Sequence, residues 1–476
     1  MSPQTSGAET TPPQLRTRRF IELVMVVIAV GIAMGAYATV HLTRDGVLPA
    51  SLPAYTGGLL GLALVAHVAL RRLASYADPV VLPTVILLNG LGLVLIHRLD
   101  LTAADDAIAD GVAIPIADAP RQLIWTALGV ALFVAFLIVV RDHRMLQRAT
   151  YTIGLVGIVM LLLPLVPGLG EPVNGSRLWV QLAGLSFQPG EVAKLTLIIF
   201  ISGYLVVHRD ALALAGKRFA GLDLPRARDL GPLLLAWLAS LSVLVFQRDL
   251  GSSLLFFGVF VVLVYVATER PSWLVYGFVL FFGGAYFAYT QFGHVRDRVT
   301  IWLDSFGSLV TGQAFDLDTS YQVVQSLYGL AAGGIVGTGL TEGHPQFVPY
   351  AESDFIIATL GEELGLSGLM AVLVLYAVIV ERGLRTALVV RDGFGKLLAT
   401  GLATSLALQV FVVVGGVTSL IPLTGLTTPF MSAGGSSLVA NWVLVAIILR
   451  ISDAARRPTP PIAPAAADEM TQVVKL

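Results

Sequence analysis

The chain has 476 residues, of which 56% are hydrophobic and only 13% charged, with a formal net charge of -1. A soluble domain carries about 25% charged residues, so composition excludes an ordinary soluble protein. The absence of cysteine excludes a disulfide framework, thiolate metal sites, cysteine nucleophiles and lipid anchors on cysteine. No basic stripe suggests nucleic acid.

Residues 1–18 are rich in Ser, Thr, Pro and Gln and lead into Arg16, Arg18 and Arg19. They read as a disordered cytoplasmic tail, because the next apolar run has membrane-spanning length and lacks a small-residue cleavage site. Apolar runs follow at about 20–42, 56–70, 79–97, 122–140, 149–166, 191–207, 231–246, 250–267, 272–291, 354–380, 397–418 and 435–450. At roughly 20 residues per span they predict an all-α polytopic membrane protein with about twelve transmembrane helices. Long apolar runs, not short alternating ones, argue against a barrel.

With the N-terminus inside, most of the 30 Lys and Arg residues fall on cytoplasmic segments. Examples are Arg71 and Arg72, Arg141, Arg144 and Arg148, Arg382, Arg385 and Arg391, and Arg456 and Arg457. This is the positive-inside pattern, and it predicts that both termini are cytoplasmic. Residues 19–120 then form the N-terminal helices and 121–451 a membrane core. A second disordered tail, 452–476, contains Pro458, Pro460, Pro461 and Pro464. The long polar segment 292–353 between the ninth and tenth helices faces outward and is the place to expect chemistry.

Several residues stand out on chemical grounds. Glu191 and Lys194 open the sixth helix at i,i+3 spacing, where they can pair. Their plain reading is a structural ion pair. Their functional reading, with Arg177 upstream, is a cationic hold on a pyrophosphate. Arg248 and Asp249 mark a helix corner, equally a polar turn or a site. Glu362 and Glu363 lie roughly 12 Å beyond Asp354 if a helix runs between them, and must face protein or water. No metal-ligand spacing emerges, nor any nucleotide-binding loop or nucleophile elbow.

Four blocks together resemble the shape, elongation, division and sporulation (SEDS) family, the RodA/FtsW/SpoVE-type peptidoglycan glycosyltransferases. Gly175-Ser176-Arg177-Leu178-Trp179 with Phe187-Gln188-Pro189-Gly190-Glu191-Val192-Ala193-Lys194 is similar to G-S-R-x-W…F-Q-P-S-E-x-A-K. Arg248-Asp249-Leu250-Gly251-Ser252 is similar to P-D-L-G-S/T, with Arg in place of Pro. A third block runs through Tyr321-Gln322-Val323-Val324-Gln325, the Gly-rich stretch 333–340, Ser353-Asp354-Phe355 and Gly361-Glu362-Glu363-Leu364-Gly365. The fourth spans Pro422 to Ser437 and resembles P-x-T-G-x-x-x-P-x-x-S-Y-G-G-S-S. In that family the first block precedes the fourth helix; here it precedes the predicted sixth. Two additional N-terminal helices are therefore implied, as in actinobacterial RodA-type members.

The resemblance implies polymerisation of lipid II, with undecaprenyl pyrophosphate leaving and inversion at the anomeric carbon, in cell elongation and shape maintenance. It implies a carboxylate base in the outer loop, within a D-P-L/F-G-x-G-Y-Q element. The corresponding stretch is Phe315-Asp316-Leu317-Asp318-Thr319-Ser320-Tyr321, one residue out of register, which favours Asp316 over Asp318 and then Asp304. Tyr350 takes the place of an acid, with Glu352 two residues on. The expected substrate-binding residues are Arg177, Gln188, Glu191, Lys194, Arg248, Tyr321, Gln325 and Ser436, with Asp249, Asp354, Glu362 and Glu363 as structural or site residues. A class B penicillin-binding protein is the implied partner, within an elongation or division complex. A divalent cation (magnesium or manganese) beside the pyrophosphate is a further expectation that no residue pattern fixes. The competing readings are a lipid II flippase and a non-catalytic scaffold of a cell-wall complex.

Overall fold

A computed structural model describes residues 19–173, 176–182, 185–213, 217–219, 222–224, 238–239, 241–242, 245–307 and 317–458. The expected tails 1–18 and 459–476, and most of the expected span 231–246, lie outside the described residues. The helices are α1 (Arg19–Asp45), α2 (Leu52–Leu73), α3 (Val81–Ala109), α4 (Asp118–Val139), α5 (Arg144–Arg148), α6 (Thr150–Leu162) and α7 (Pro189–Ala213). They continue with α8 (Leu250–Thr268), α9 (Ser272–Gln291), α10 (Gly293–Leu303), α11 (Leu317–Gly333), α12 (Ile356–Glu363), α13 (Gly365–Val389), α14 (Gly393–Val417) and α15 (Gly435–Arg456).

Among the described residues, 10 helices are long and apolar enough to cross a membrane: α1 to α4, α7 to α9 and α13 to α15. The run expected at 149–166 is the shorter apolar helix Thr150–Leu165, its last turn tightening around Pro164. The chain is thus a multi-pass, predominantly helical membrane protein. Its strands are small. β1 (Gly170–Val173), β2 (Ser176–Leu182) and β3 (Leu185–Phe187) form an antiparallel sheet before α7, and β4 (Lys217–Phe219) pairs with β5 (Leu222–Leu224). In β2, Leu178, Val180 and Leu182 alternate with Arg177, Trp179 and Gln181, the period of a strand; the sequence reading anticipated no strands.

Close helix approach depends on small residues, as expected where lipid offers no hydrophobic drive between helices. Gly129 of α4 lies against Trp442 of α15, where an added Cβ would come within 2.6 Å of the indole. On α7, Gly203 meets Thr150 of α6 in the same way.

The continuous span expected at 354–380 is broken. α12 ends at Glu363 and α13 starts at Gly365, which has φ +67 and leaves no room for a side chain: a Cβ would lie 2.3 Å from the Gly337 amide nitrogen. The segment 334–339 threads into this break. Thr338 and Gly339 donate their N–H groups to the carbonyls of Glu362 (2.9 Å) and Glu363 (3.0 Å), while Leu366 and Ser367 donate to Gly334 (2.9 Å) and Ile335 (3.0 Å). Backbone groups released by a helix break in a membrane protein need such internal partners. The expected outer loop is therefore largely structured, holding α10, α11 and a short turn at Pro345–Phe347.

The two ends of the bundle differ. One end joins the α2–α3 turn, the start of α5, the α13–α14 turn and the end of α15. There Asp78 pairs with Arg456, Asp453 accepts from the Tyr76 amide at 2.8 Å, and Arg450 donates to the Leu73 carbonyl at 2.6 Å. These contacts carry α15 past the expected boundary at 451, to Arg456. At the same end Asp392 caps α14 by accepting from the Gly395 amide at 2.7 Å and accepts from His143 Nε2 at 2.9 Å.

Burial alone pushes the Asp392 carboxyl up, but hydrogen bonds from His143 and Gly395 and the charges of His143 and Arg144 outweigh it and hold it at about 2. An unfolded Asp titrates near about 3.9, so this latch contributes stability above that value and loses it as pH falls through about 2. Asp392→Asn is expected to lower the melting temperature at pH 7 and to flatten its dependence on pH between about 4 and about 2. Identical melting of the two proteins at both pH values would contradict the latch.

Candidate active site

The opposite end gathers a second set of polar groups. Pro189 starts α7, and the Gln188 amide just before it donates to Ser436 Oγ at 2.9 Å. One turn on, Lys194 Nζ donates to Glu191 Oε2 at 2.8 Å, and the two side chains are only 5% and 8% exposed. Two buried charges are costly unless paired with further hydrogen bonds. Here Lys194 also donates to Gln409 Oε1 of α14 at 2.9 Å. Gln409 passes the connection on through Nε2 to the Thr427 carbonyl at 2.9 Å, and Thr427 Oγ1 donates to Ser437 Oγ at 3.0 Å. One polar chain thus links α7, α14, the loop before α15, and α15 itself.

Asp249 caps α8, accepting from the Ser252 amide (2.9 Å) and Ser252 Oγ (2.6 Å), and is buried. Asp354 is half-buried and accepts from Ser353 Oγ at 3.0 Å. Between them lies Arg298 of α10, which donates to the carbonyls of Leu423 (3.2 Å) and Thr424 (3.1 Å). Burial pushes both carboxyls up; hydrogen bonds and the Arg298 charge oppose the rise without cancelling it. Gly425, with φ +75, sits where a Cβ would be 3.5 Å from Asp354 Oδ2 and 4.0 Å from Arg298 Nη2. The same loop is fixed from below by Ser432, which donates to the Ser353 carbonyl at 2.6 Å, and by the Ala433 amide on the Glu352 carbonyl at 2.7 Å. The Glu352 carboxyl is pushed up by burial and by the nearby Asp118, Asp354 and Asp100.

Glu362 and Glu363 anchor the broken helix. Arg98 of α3 donates through Nε to Glu363 Oε1 at 2.5 Å and through Nη2 to the Gly343 carbonyl at 2.8 Å. Glu362 Oε1 accepts from the His344 amide at 2.7 Å. Arg98 and Glu363 are 3% and 0% exposed, so this pair fixes the segment 334–344 to the membrane core.

Residues of all four sequence blocks thus meet around the loop 419–434. The family model of the cell cycle proteins FtsW, RodA and SpoVE matches residues 79–457. The chain belongs to this family. Peptidoglycan glycosyltransferase RodA of Mycobacterium tuberculosis is 51% identical over 450 residues, covering 94% of this chain and 93% of that protein. The Mycobacterium leprae protein of the same name is 48% identical over 480 residues, covering 99% and 100%. A solved structure described as the structural coordination of polymerization and crosslinking by a peptidoglycan synthase complex superposes with TM-score 0.62 at 26% identity, over 80% of this chain and 99% of that one. The crystal structure of Thermus thermophilus RodA shares the fold, with TM-score 0.54 at 24% identity over 80% and 98%.

The RodA/FtsW family match begins at residue 79, which leaves α1 and α2 outside it as an N-terminal addition. The expected site residues divide into three groups. Gln188, Glu191, Lys194, Asp249, Asp354 and Ser436 are assembled as described, while Glu362 and Glu363 bind the segment 338–344 and Arg98. Arg177 and Arg248 are exposed, the latter with φ 62. Lys194 is held by Glu191 and Gln409 inside the bundle. On α11, Tyr321 is 37% exposed and Gln325 is half-buried.

Of the candidate bases, Asp304 ends α10 and accepts from the Gly307 amide at 2.8 Å. Asp318 falls in the first turn of α11. Asp316 lies outside the described residues. Among the described residues no group of three or more His, Asp or Glu could hold a metal ion, and no step below runs through one.

Sequence reasoning missed Arg98, Arg298 and Gln409. Arg98 and Gln409 were detectable as polar residues at or inside apolar runs, where side chains need a partner; nothing local identified the partner. Arg98→Met leaves Glu363 buried and unpaired, a change of about 3–5 kcal/mol. Hydrogen exchange at the amides of Thr338 and Gly339 is expected to accelerate in that variant. Unchanged protection would show that the pair does not hold the segment 334–344.

Proposed function

We propose that this chain is a peptidoglycan glycosyltransferase that polymerises lipid II at the outer face of the plasma membrane, in cell elongation and shape maintenance. The observation that carries the reading is the meeting of four distant sequence blocks at the less basic end of the bundle, in a chain half identical to RodA enzymes over nearly its full length. The positive-inside pattern supports an outward position for that end, with both termini cytoplasmic.

In this mechanism a carboxylate takes the proton from the acceptor sugar hydroxyl as its oxygen attacks the anomeric carbon of the donor. The bond from that carbon to the pyrophosphate breaks, and undecaprenyl pyrophosphate leaves with the electron pair and inversion of the centre. Asp316 is the assigned base, ahead of Asp318 and Asp304. Negative charge grows on the departing pyrophosphate and calls for cations fixed nearby. Arg177 and Arg248, exposed near this end, suit that role, with Tyr321, Gln325 and Ser436 as further contacts to substrate. Lys194 is already balanced by Glu191, so its contribution is to hold α7 in register with α14. The chain supplies no transpeptidase domain among its described residues. A class B penicillin-binding protein is the proposed partner, supported by the resemblance to a synthase complex that couples polymerization to crosslinking.

Purified protein incubated with lipid II, alone and with the partner, is expected to form glycan chains resolvable on a gel. Asp316→Asn protein with an unchanged melting temperature is expected to lose polymerisation by about 100-fold or more, as for removal of a general base. Full activity in that variant would remove the assignment. Lipid II translocation without polymer would instead favour the flippase.

A further inference from the structure

At the basic end, away from the site, α2 and α4 leave an open groove of about 440 Å³. The helices approach closely near Gly58 and Leu123, where an added Cβ on the glycine would lie 3.5 Å from the leucine. Further along, Leu64, Val65 and Val68 of α2 and Val134 and Ile138 of α4 form an apolar trough, and Arg72 lies at its end. Arg71 beside it donates to the Arg19 carbonyl. Arg72 is exposed and has no hydrogen bond or ion pair to any described residue. An unpaired guanidinium at the mouth of an apolar trough matches a ligand with a phosphate at one end and hydrocarbon at the other. The fork of an arginine suits a phosphodiester, and basic pockets between membrane helices are known sites for anionic headgroups.

The geometry points to a binding site for an anionic phospholipid, with an acyl chain along the α2–α4 groove and the headgroup phosphate on Arg72. The site is built half from α2, which lies outside the family match, and half from α4, which lies within it. The plain alternative is that Arg72 simply extends to water while its stem covers the helix. The N-terminal segment is a poor occupant, because Arg16, Arg18 and Arg19 would repel Arg72.

Native mass spectrometry of the full-length protein, titrated with phosphatidylglycerol or phosphatidylcholine, separates these readings. Phosphatidylglycerol is expected to bind more tightly than phosphatidylcholine. Arg72→Gln is expected to weaken phosphatidylglycerol about fivefold, the effect of one basic residue at a membrane surface, and to leave phosphatidylcholine unchanged. Val134→Trp, which fills the trough, is expected to weaken both lipids, with melting temperature confirming the fold of each variant. Equal binding of the two lipids to the unaltered protein would overturn the proposal, whether because Arg72 only meets water or because residues 459–476 fill the groove. Retention of full phosphatidylglycerol binding by Arg72→Gln would overturn it as well. So would equally tight binding of chainless glycerophosphoglycerol, which would mean that the trough is not used.

Discussion

A polar group inside a lipid-embedded bundle must find its partner within the protein, and the architecture of this chain follows from meeting that requirement at three places. Glu191 and Lys194 neutralise each other one turn into α7, and Gln409 completes the shell around the lysine. Arg98 and Glu363 do the same between α3 and α12. The helix break at Gly365 is filled by the backbone of 334–339. Each solution joins elements distant in sequence, and each lies toward the same end of the bundle. The polar chemistry therefore sits on a rigid base, as precise placement of reacting groups requires.

The loop 419–434 is the point of convergence. It touches Arg298 through its carbonyls, Gln409 through Thr427, and the segment 352–354 through Ser432 and Ala433. Its Gly425 lets the chain pass Asp354 and Arg298 closely. Burial pushes the Asp249 and Asp354 carboxyls up there, against the opposing hydrogen bonds of Ser252 and Ser353 and the charge of Arg298. The opposite end has a different character, dominated by arginines that tie helix ends together.

Much of this was legible in the sequence because lipid imposes simple rules. Length and hydropathy located most of the spans, and i,i+3 spacing paired Glu191 with Lys194. The break between α12 and α13 was not legible, because Glu362, Glu363 and Gly365 sit within a run of membrane-spanning length and the segment that fills the gap lies some 30 residues upstream. Arg98 was opaque for the same reason: its partner is 265 residues away. The strands before α7 were hidden by their brevity. The base is the reverse case, since Asp316 comes from a resemblance in sequence and lies outside the described residues.

The most direct test of a single site built on the buried polar chain uses Gln409, a residue outside all four sequence blocks. Lipid II polymerisation by Gln409→Leu, Lys194→Met and the double variant forms a double-mutant cycle, with melting temperature followed alongside. The account predicts that each single change lowers the rate and that the double variant is little worse than the poorer single one, a coupling of about 0.5–3 kcal/mol. Wild-type rates in both single variants, or losses that simply multiply, would contradict it.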